Sequence, residues 1–496
     1  MKLNSSDAPS KQLFKHGAIY GFGSALQSLL GFVLIPVYTK NLTPEMYGVL
    51  ALIALSGTIA GVLFFFGISS ALARSYYDHS LEQGRKAAVK TALIITAFGA
   101  FVQISVGLLW SDRLSMAFLG TTVYSIHVQI ALVGSALGFF NQLLYLLLRF
   151  ERRSTAVIVF NLLSMVCLVS LNVYLLLGRK LGVLAPVLGE ALNQLIQLAA
   201  LGWTCRHWLG GAISRREVHI QLAYGLPTVV TGLMYYLHTA SDRFWLKKYG
   251  ELADVGVYAL ASRIGMVIQV LLIIPFGQIW TPVRMEMKDT PGAADFFARV
   301  LTYYLLAGQL FALALVLFSA EVVGLLARQA GYEAAVKAVP LVVCAHLVYG
   351  LISILDAGII FSRRVYLTTT LAAIALAANA ACNLALVPSL GFMGAGCSLI
   401  ISMSVFSLGI GLVSNRLFPV LVEWRRVGLS GAFFGAALLI GSQIGAQVTV
   451  GAVALKLAVV AAVGTSFYRV VLDVDEQRSA AAAVNGLVLR MRRLAA

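Results

Sequence analysis

The sequence predicts an all-α membrane protein of about fourteen transmembrane helices, and three observations carry that prediction. The chain is 59% hydrophobic and only 12% charged, with a mean hydropathy of +0.87, whereas soluble domains carry roughly 25% charged residues. Its apolar stretches run about 20 residues, the length that crosses a bilayer as a helix rather than the alternating ~10 of a barrel strand. Its basic residues collect in alternate loops. Lipid offers backbone polar groups no partner, so spans of this kind must be helices.

In order, the predicted spans are 16–38, 47–73, 87–110, 122–148, 156–177, 183–204, 220–246, 256–280, 299–320, 336–361, 366–387, 391–413, 428–446 and 450–472. The first is of full length and is not followed by a small-residue cleavage site, so it reads as a retained helix. With the N-terminus inside, 26 of the 37 Lys and Arg fall on the inner side and 9 on the outer, leaving Arg263 and Lys456 within spans. That asymmetry places both termini in the cytoplasm and requires an even number of spans. The net charge of +16 is accounted for by this topology, so nucleic acid is not an expected partner. Cys167, Cys205, Cys344, Cys382 and Cys397 fall in or at the ends of apolar segments without metal-ligand spacing, and no cofactor or metal is expected.

An internal repeat follows. At an offset of 208, YGVLALIALSG (47–57) aligns with VGVYALASRIG (255–265), pairing Gly48 with Gly256 and Gly57 with Gly265, while Gly17 meets Gly225 and Lys40 meets Lys248. At 211, Phe150, Arg152 and Arg153 meet Phe361, Arg363 and Arg364, and Asn172 meets Asn383; at 209, Gly182 meets Gly391. Span n falls on span n+6, and six spans per copy leave both copies with the same orientation. The expectation is two six-helix lobes in a parallel pseudo-two-fold repeat, with a site between them. Residues 1–210 form the N-terminal lobe, 211–415 the C-terminal lobe, 416–472 two extra helices and 473–496 a basic cytoplasmic tail lying on the membrane surface.

Two segments carry a family resemblance. GFVLIPVYTKNLTPEMYGVLAL (31–52) joins the first two spans; YGLPTVVTGLMYYLHTASDRFWLKKYGELADVGVYALASRI (224–264) joins the seventh and eighth and is followed by PFGQIWTPV (275–283). The Leu-Thr-Pro-Glu-x-Tyr-Gly turn and the Ser-Asp-Arg ending of the seventh span resemble the polysaccharide-exporter, or O-antigen flippase, branch of the multidrug/oligosaccharidyl-lipid/polysaccharide (MOP) exporter superfamily. The 6+6+2 layout extends the resemblance over essentially the whole chain. It implies two lobes alternating access about a central cavity, in the bacterial inner membrane. It also implies an undecaprenyl-pyrophosphate-linked oligosaccharide as cargo, with polysaccharide polymerase and assembly proteins as partners beside membrane lipid.

No enzyme constellation is present: the sequence has no Walker loop, zincin motif, nucleophile elbow or Cys/His metal spacing. A non-enzymatic carrier driven by H+ or Na+, or by product removal, is the expectation. Charges inside spans are costly and face protein or water. Arg263, in the eighth span, is read either as the cation that meets an anionic head group, since guanidinium suits phosphate oxygens, or as half of a structural ion pair. Its repeat partner is Leu55, so the packing common to both lobes does not require it. His238 and Asp242 share a face of the seventh span and are candidates for ion or proton coupling; the alternative is a structural network anchoring Arg243 or Arg263. Glu190, Asn193, Gln194 and Gln197 form a polar stripe on the sixth span, read as a sugar-facing wall or as helix–helix hydrogen bonding. Asp356 is a candidate cavity-lining acid, and Lys456 is read as snorkelling outward. Pro36 and Pro227 mark bends or caps, and the Gly-xxx-Gly steps mark close packing.

Three alternatives stand beside the lipid-linked oligosaccharide flippase. A lipid II flippase shares the superfamily. A cation-coupled drug exporter shares the twelve-helix core, but the extra helix pair and Arg263 speak against it. A membrane glycan polymerase or ligase needs a long structured outer loop, and the longest outer connection here is about 15 residues.

The topology is tested by reporter fusions at residues 180 and 388, both expected to read outside. A cytoplasmic signal at either position breaks the fourteen-span arrangement.

Overall fold

The computed structural model describes residues 31–327, 329–444 and 449–478. Most of the first span and the basic end of the tail therefore lie outside the described residues. Twelve helices among those described are long and apolar enough to cross a membrane. Numbered by span, they are α2 (Pro44–Asp78), α3 (Glu82–Leu119), α4 (Ser125–Phe150), α5 (Ser154–Gly178), α6 (Leu184–Thr204), α8 (Leu252–Met287), α9 (Ala293–Leu317), α10 (Ala335–Phe361), α11 (Tyr366–Leu390), α12 (Phe392–Asn415), α13 (Trp424–Ile444) and α14 (Val450–Val471). Two more helices complete the order: α1, seen over Leu34–Asn41, and α7 (Arg215–Ala240), which resumes after a break as Asp242–Tyr249. Helix α7 is long enough to span but is not among the strongly apolar ones. Its face carries Gln221, Tyr224, Thr228, Thr231, Tyr235, Tyr236 and His238.

Local sequence sets the helix starts. The Thr43 hydroxyl accepts the Met46 N–H, with Pro44 in the first turn of α2. Ser214 caps α7 by accepting the Glu217 N–H. Glu251 and Asp254 form a reciprocal capping box at the start of α8. Breaks inside spans have equally local causes. Phe66 and Gly67 take left-handed conformations (φ 54° and 64°) and interrupt α2, and a π-helical turn at Gln269–Ile273 interrupts α8.

Both halves repeat the same backbone devices. Arg152 (φ 56°) and Arg363 (φ 58°) end α4 and α10 in the left-handed region. The N–H groups of Arg152 and Arg153 reach the carbonyls of Arg149 and Leu148; those of Arg363 and Arg364 reach Ile360 and Ile359, each one offset of 211 away. Asn172 donates to the Leu168 carbonyl as Asn383 donates to that of Asn379. Gly57 lies against the Ala131 carbonyl of α4, and Gly265 against Val342 of α10. In both halves the second helix packs on the fourth and the fourth on the sixth.

The halves meet along α2 and α8, and α8 is the most deeply buried candidate span. At the end that the charge bias of the loops assigns to the outside, the two backbones touch. A Cβ on Gly48 would strike the Leu252 carbonyl, and one on Gly256 would strike the Pro44 carbonyl. Because 44 and 48 are the repeat partners of 252 and 256, the contact is reciprocal, as an isologous two-fold contact is. Both helices start at the same end, so the two-fold relating them runs along their length. At the opposite end α7 enters between the halves. It packs on α2 and α3 of one half and on α11 of the other.

Helices α13 and α14 pack on α9. Lys456 does not snorkel: it is 2% exposed, and its Nζ lies 2.6 Å from Glu321. A buried ammonium without that carboxylate would be costlier than the pair. The described start of the tail is also held, since Arg426 binds Asp473 and Glu476.

Lys456→Met strands Glu321 and is expected to cost about 3–5 kcal/mol, read as a lower thermal midpoint in detergent. Lys456→Met with Glu321→Leu is expected to recover most of it.

Candidate functional site

Polar side chains at membrane depth gather in three places. In the first half, Gln194 donates to Glu190 (2.7 Å) and accepts from Asn141 Nδ2 (2.7 Å), while Gln197 donates to the Tyr145 hydroxyl (2.7 Å). These residues line a cavity of about 720 Å³ that also takes in Arg149 of α4. Asn141 is buried, and its Oδ1 accepts no hydrogen bond among the described residues. Asn193, the fourth polar residue of the α6 stripe, bonds to Ser164 of α5 (3.1 Å). The stripe is thus both a wall and a helix-packing device: Glu190, Gln194 and Gln197 face the cavity while binding their neighbours.

The second cluster lies where the broken end of α7 meets α8, α11 and α12. Asp242 is 1% exposed. Its carboxylate accepts from the Tyr258 hydroxyl (2.8 Å), Asn383 (2.9 Å) and, more weakly, Asn379 (3.4 Å). One turn earlier, His238 Nε2 lies 3.0 Å from the Ser402 hydroxyl, which also accepts from Asn379 (3.2 Å). One network thus joins His238 to Asp242, as their i, i+4 spacing anticipated. All hydrogen-bond donors to Asp242 are neutral, and no Lys or Arg forms an ion pair with it among the described residues, but Arg243, next to it in the chain, lies within electrostatic reach of the carboxylate. The Asn383 Oδ1 beside it is unpartnered among the described residues.

The third cluster is cationic. From Val255 to Gly265 every residue of α8 is buried except Arg263, which is exposed. It starts about 16 Å along the helix from Leu252, at 1.5 Å per residue. Arg243, half-buried on α7, lies within electrostatic reach of Arg263. Neither forms an ion pair among the described residues, and the Arg243 Nε donates to nothing there. The two guanidiniums repel one another, and Asp242, within electrostatic reach of Arg243, forms an ion pair with neither among the described residues. Tyr47 of α2 lies beside both. Tyr38 of α1 lies within reach of both Arg263 and Glu190, and its hydroxyl donates to Asn172 (2.9 Å). Tyr38 therefore links the polar wall of the first half to the cations of the second.

Asp356 lies apart from these clusters. It sits in a break of α10 and is bound to Arg284 of α8 (2.7 Å). Sequence reading counted Arg284 as a loop cation and so missed the pair. It also missed Arg243, Asn141 and Tyr145. Loop counting puts Arg243 in an outer connection although it belongs to the Ser-Asp-Arg step; Asn141, Tyr145 and Arg149 are spaced i, i+4 and i+8 on α4, and that shared face was the signal that could have found them.

Among solved structures, the chain is similar to the lipid II flippase MurJ in an inward closed conformation, with a TM-score of 0.73, 14% identity, and 91% of this chain and 98% of that one covered. It is also similar to an inward-facing multidrug resistance MATE family transporter of the MOP superfamily (TM-score 0.56, 17% identity, 79% and 94% covered). A third likeness is to the Vibrio cholerae MATE transporter VcmN (TM-score 0.54, 16% identity, 82% and 96% covered). At these identities the likeness shows the fold. No functionally curated protein matches the chain in sequence. Residues 13–288, more than half of the chain, match the family described as polysaccharide biosynthesis protein. With the fold of the MOP transporters around it, this chain belongs to the polysaccharide biosynthesis protein family.

Proposed function

We propose that the chain is a flippase that carries an undecaprenyl-pyrophosphate-linked oligosaccharide, a precursor of O-antigen, capsule or exopolysaccharide, across the bacterial inner membrane by alternating access of two lobes, residues 1–210 and 211–415. The observation that carries this reading is the unpaired Arg243 and Arg263 where the two halves meet. A side of α8 turned to lipid would expose neighbours of Arg263 one turn away, yet Ala259 and Leu260 are buried. One turn further on, Met266 and Val267 are partly exposed, so the guanidinium sits at the edge of a buried stretch of α8, on the side near Arg243 of α7. Two negative charges cannot cross hydrocarbon without a cation to meet them in a hydrated space, and planar guanidiniums bind phosphate oxygens in bidentate fashion. The amide-rich wall of Gln194 and Gln197, with the Tyr145 hydroxyl, offers donors and acceptors suited to sugar hydroxyls.

The inward movement of H+ or Na+ supplies the energy, and the His238–Asp242 network is the coupling site. A dehydrated carboxylate ringed by neutral donors, with a spare amide oxygen beside it, is satisfied by a small cation or a proton. Family membership and fold support a transporter of this class, and the choice of cargo rests on the cation pair.

Arg263→Ala is expected to abolish surface polysaccharide with the protein still in the membrane, and Arg263→Lys to retain part of the export. Normal surface polysaccharide in a strain carrying only the alanine variant refutes the assignment. Cell lysis on depletion, with peptidoglycan precursors accumulating, would instead indicate a lipid II flippase.

Asp242→Asn keeps the shape but removes the charge. It is expected to leave the protein folded and to reduce export at least about tenfold, as loss of a cation site does when one protonation state is required. Export that still responds to the ion gradient as in the parent excludes Asp242 from coupling.

A further inference from the structure

The Leu-Thr-Pro-Glu-x-Tyr-Gly turn delivers one side chain of the first half to the cations of the second. Tyr47 stands in the first turn of α2, which Thr43 and Pro44 fix, and its N–H reaches the Thr43 carbonyl (2.9 Å). Its ring is buried, and the ring of Tyr332 meets it edge-on at 6.1 Å. Tyr332 is itself fully buried and donates its hydroxyl to the Leu42 carbonyl (3.0 Å). The Tyr47 side chain is thus held in place and ends beside Arg263 and Arg243. A guanidinium has donors and no acceptor. Toward Arg263 the Tyr47 oxygen can only accept, so its proton is left for a third group. Tyr38 differs on this point: its hydroxyl, also within reach of Arg263, gives its proton to Asn172 (2.9 Å).

The fold common to both halves does not account for the cluster. At an offset of 208, Tyr47 meets Val255, Arg243 meets Ile35 and Arg263 meets Leu55, and each of these apolar partners is buried. The hydroxyl belongs to the first half alone and the guanidiniums to the second alone. Nor does the cluster satisfy itself. Like charges repel, Arg243 Nε donates to nothing among the described residues, and the Asp242 carboxylate is taken up by Tyr258, Asn379 and Asn383. A phenol beside two cations adds no counter-charge.

We infer that Tyr47 is a substrate-binding residue whose hydroxyl donates to a phosphate oxygen of a diphosphate held by Arg243 and Arg263, so that the anion is bound by both halves at once. Two guanidiniums match the two phosphates of a diphosphate, whereas a monophosphate leaves one of them unmatched. A phenol adds a further donor without adding to the repulsion between the cations. Because Tyr332 fixes the ring before anything binds, little rotamer freedom is lost when the donor is used. The donor and the cations sit on different halves, so the anion is held best while the two are together and is weakened by one bond when they part.

This inference rests on the reading of Arg243 and Arg263 as the anion site, and the test separates the two. Inorganic pyrophosphate is titrated calorimetrically onto the full chain in nanodiscs of zwitterionic lipid, where no anionic head group competes. Arg263→Ala is expected to abolish binding. Tyr47→Phe keeps the ring against Tyr332 and is expected to weaken binding about tenfold, as loss of one hydrogen bond to a charged group does, with the thermal midpoint of the ligand-free protein unchanged. Orthophosphate is expected to bind the parent more weakly than pyrophosphate does; equal affinity overturns the diphosphate assignment. Parental pyrophosphate affinity in Tyr47→Phe overturns the role of Tyr47, while loss of binding in Arg263→Ala still upholds the site. Unchanged binding in both variants overturns the site itself. A Tyr47→Phe protein that loses midpoint and affinity together assigns the hydroxyl to packing and also overturns the inference. A strain carrying only Tyr47→Phe gives a second readout: reduced surface polysaccharide at parental protein level is expected. Normal export there overturns the inference even where free pyrophosphate binds the parent too weakly to measure.

Discussion

Hydrocarbon supplies no hydrogen bonds, and that constraint orders most of what this structure does with its polar residues. Lys456 is buried against Glu321, Arg284 against Asp356, and Asp242 within a ring of Tyr258, Asn379 and Asn383. Asn141, Asn172, Asn193 and Gln103 each reach a carbonyl or a hydroxyl on a neighbouring element or their own helix. The residues that the constraint leaves unsettled are few. Arg243 and Arg263 form no ion pair among the described residues, and the amide oxygens of Asn141 and Asn383, like that of Gln103, have no donor there. A protein interior tolerates such groups at a cost in stability, which is why they mark the places where something other than packing has shaped the chain.

Duplication sharpens that argument. The two halves share their left-handed turns, their glycine contacts and their asparagine-to-carbonyl bonds, so the common fold needs those and no more. The charges at membrane depth are what they do not share. Where the second half has Asp242, Arg243 and Arg263, the first has Leu34, Ile35 and Leu55 at an offset of 208; where the first half has Glu190, the second has Leu399 at 209. All three apolar partners in the first half are buried core residues, as is Leu399. The scaffold therefore accepts leucine or isoleucine at each of these positions and does not need the ionisable groups. They lie in different helices of the two halves, α6 in one and α7 with α8 in the other. This turns a symmetric bundle into a carrier with one polar wall and one cationic wall.

Fold class was legible because membrane burial writes itself into linear sequence: span length, loop charge and a six-span repeat all survive without knowledge of contacts. The polar stripe on α6 was legible for the same reason, since helical periodicity puts Glu190, Gln194 and Gln197 on one face. What could not be read was pairing across helices. Asp356 and Lys456 looked like lone charges because Arg284 and Glu321 lie 72 and 135 residues away. Arg243 was hidden by segmentation. A hydropathy window places it at the end of a span, whereas the chain breaks at Ser241 and turns the guanidinium back toward α8. Helix α7 itself is a warning about composition. It is among the least apolar of the long helices because it packs on both halves and exposes Tyr224, Tyr235 and Tyr236.

Contacts between the halves mix two physical kinds. At the outer end backbone meets backbone through Gly48 and Gly256, and α7 meets α2 in the same way where Gly225 lies against Phe66 and Gly67. Toward the inner end side chains add to the contact of α7 with α2 and α3. His79 Nε2 lies 2.9 Å from Glu217, Gln221 donates to the Ala88 carbonyl, and Arg74 lies over the Tyr224 ring. Contacts of this second kind exchange readily for water and lose little when they part, whereas a backbone crossing is either seated or not. Helix α7 is also fastened to both halves, to α2 and α3 of one and to α11 of the other, with Pro227 near its middle. A missing N–H and a ring against the preceding turn make that the weakest point of the helix. A helix fastened to both halves and weakened at its middle is the element that any relative movement of the halves would load first.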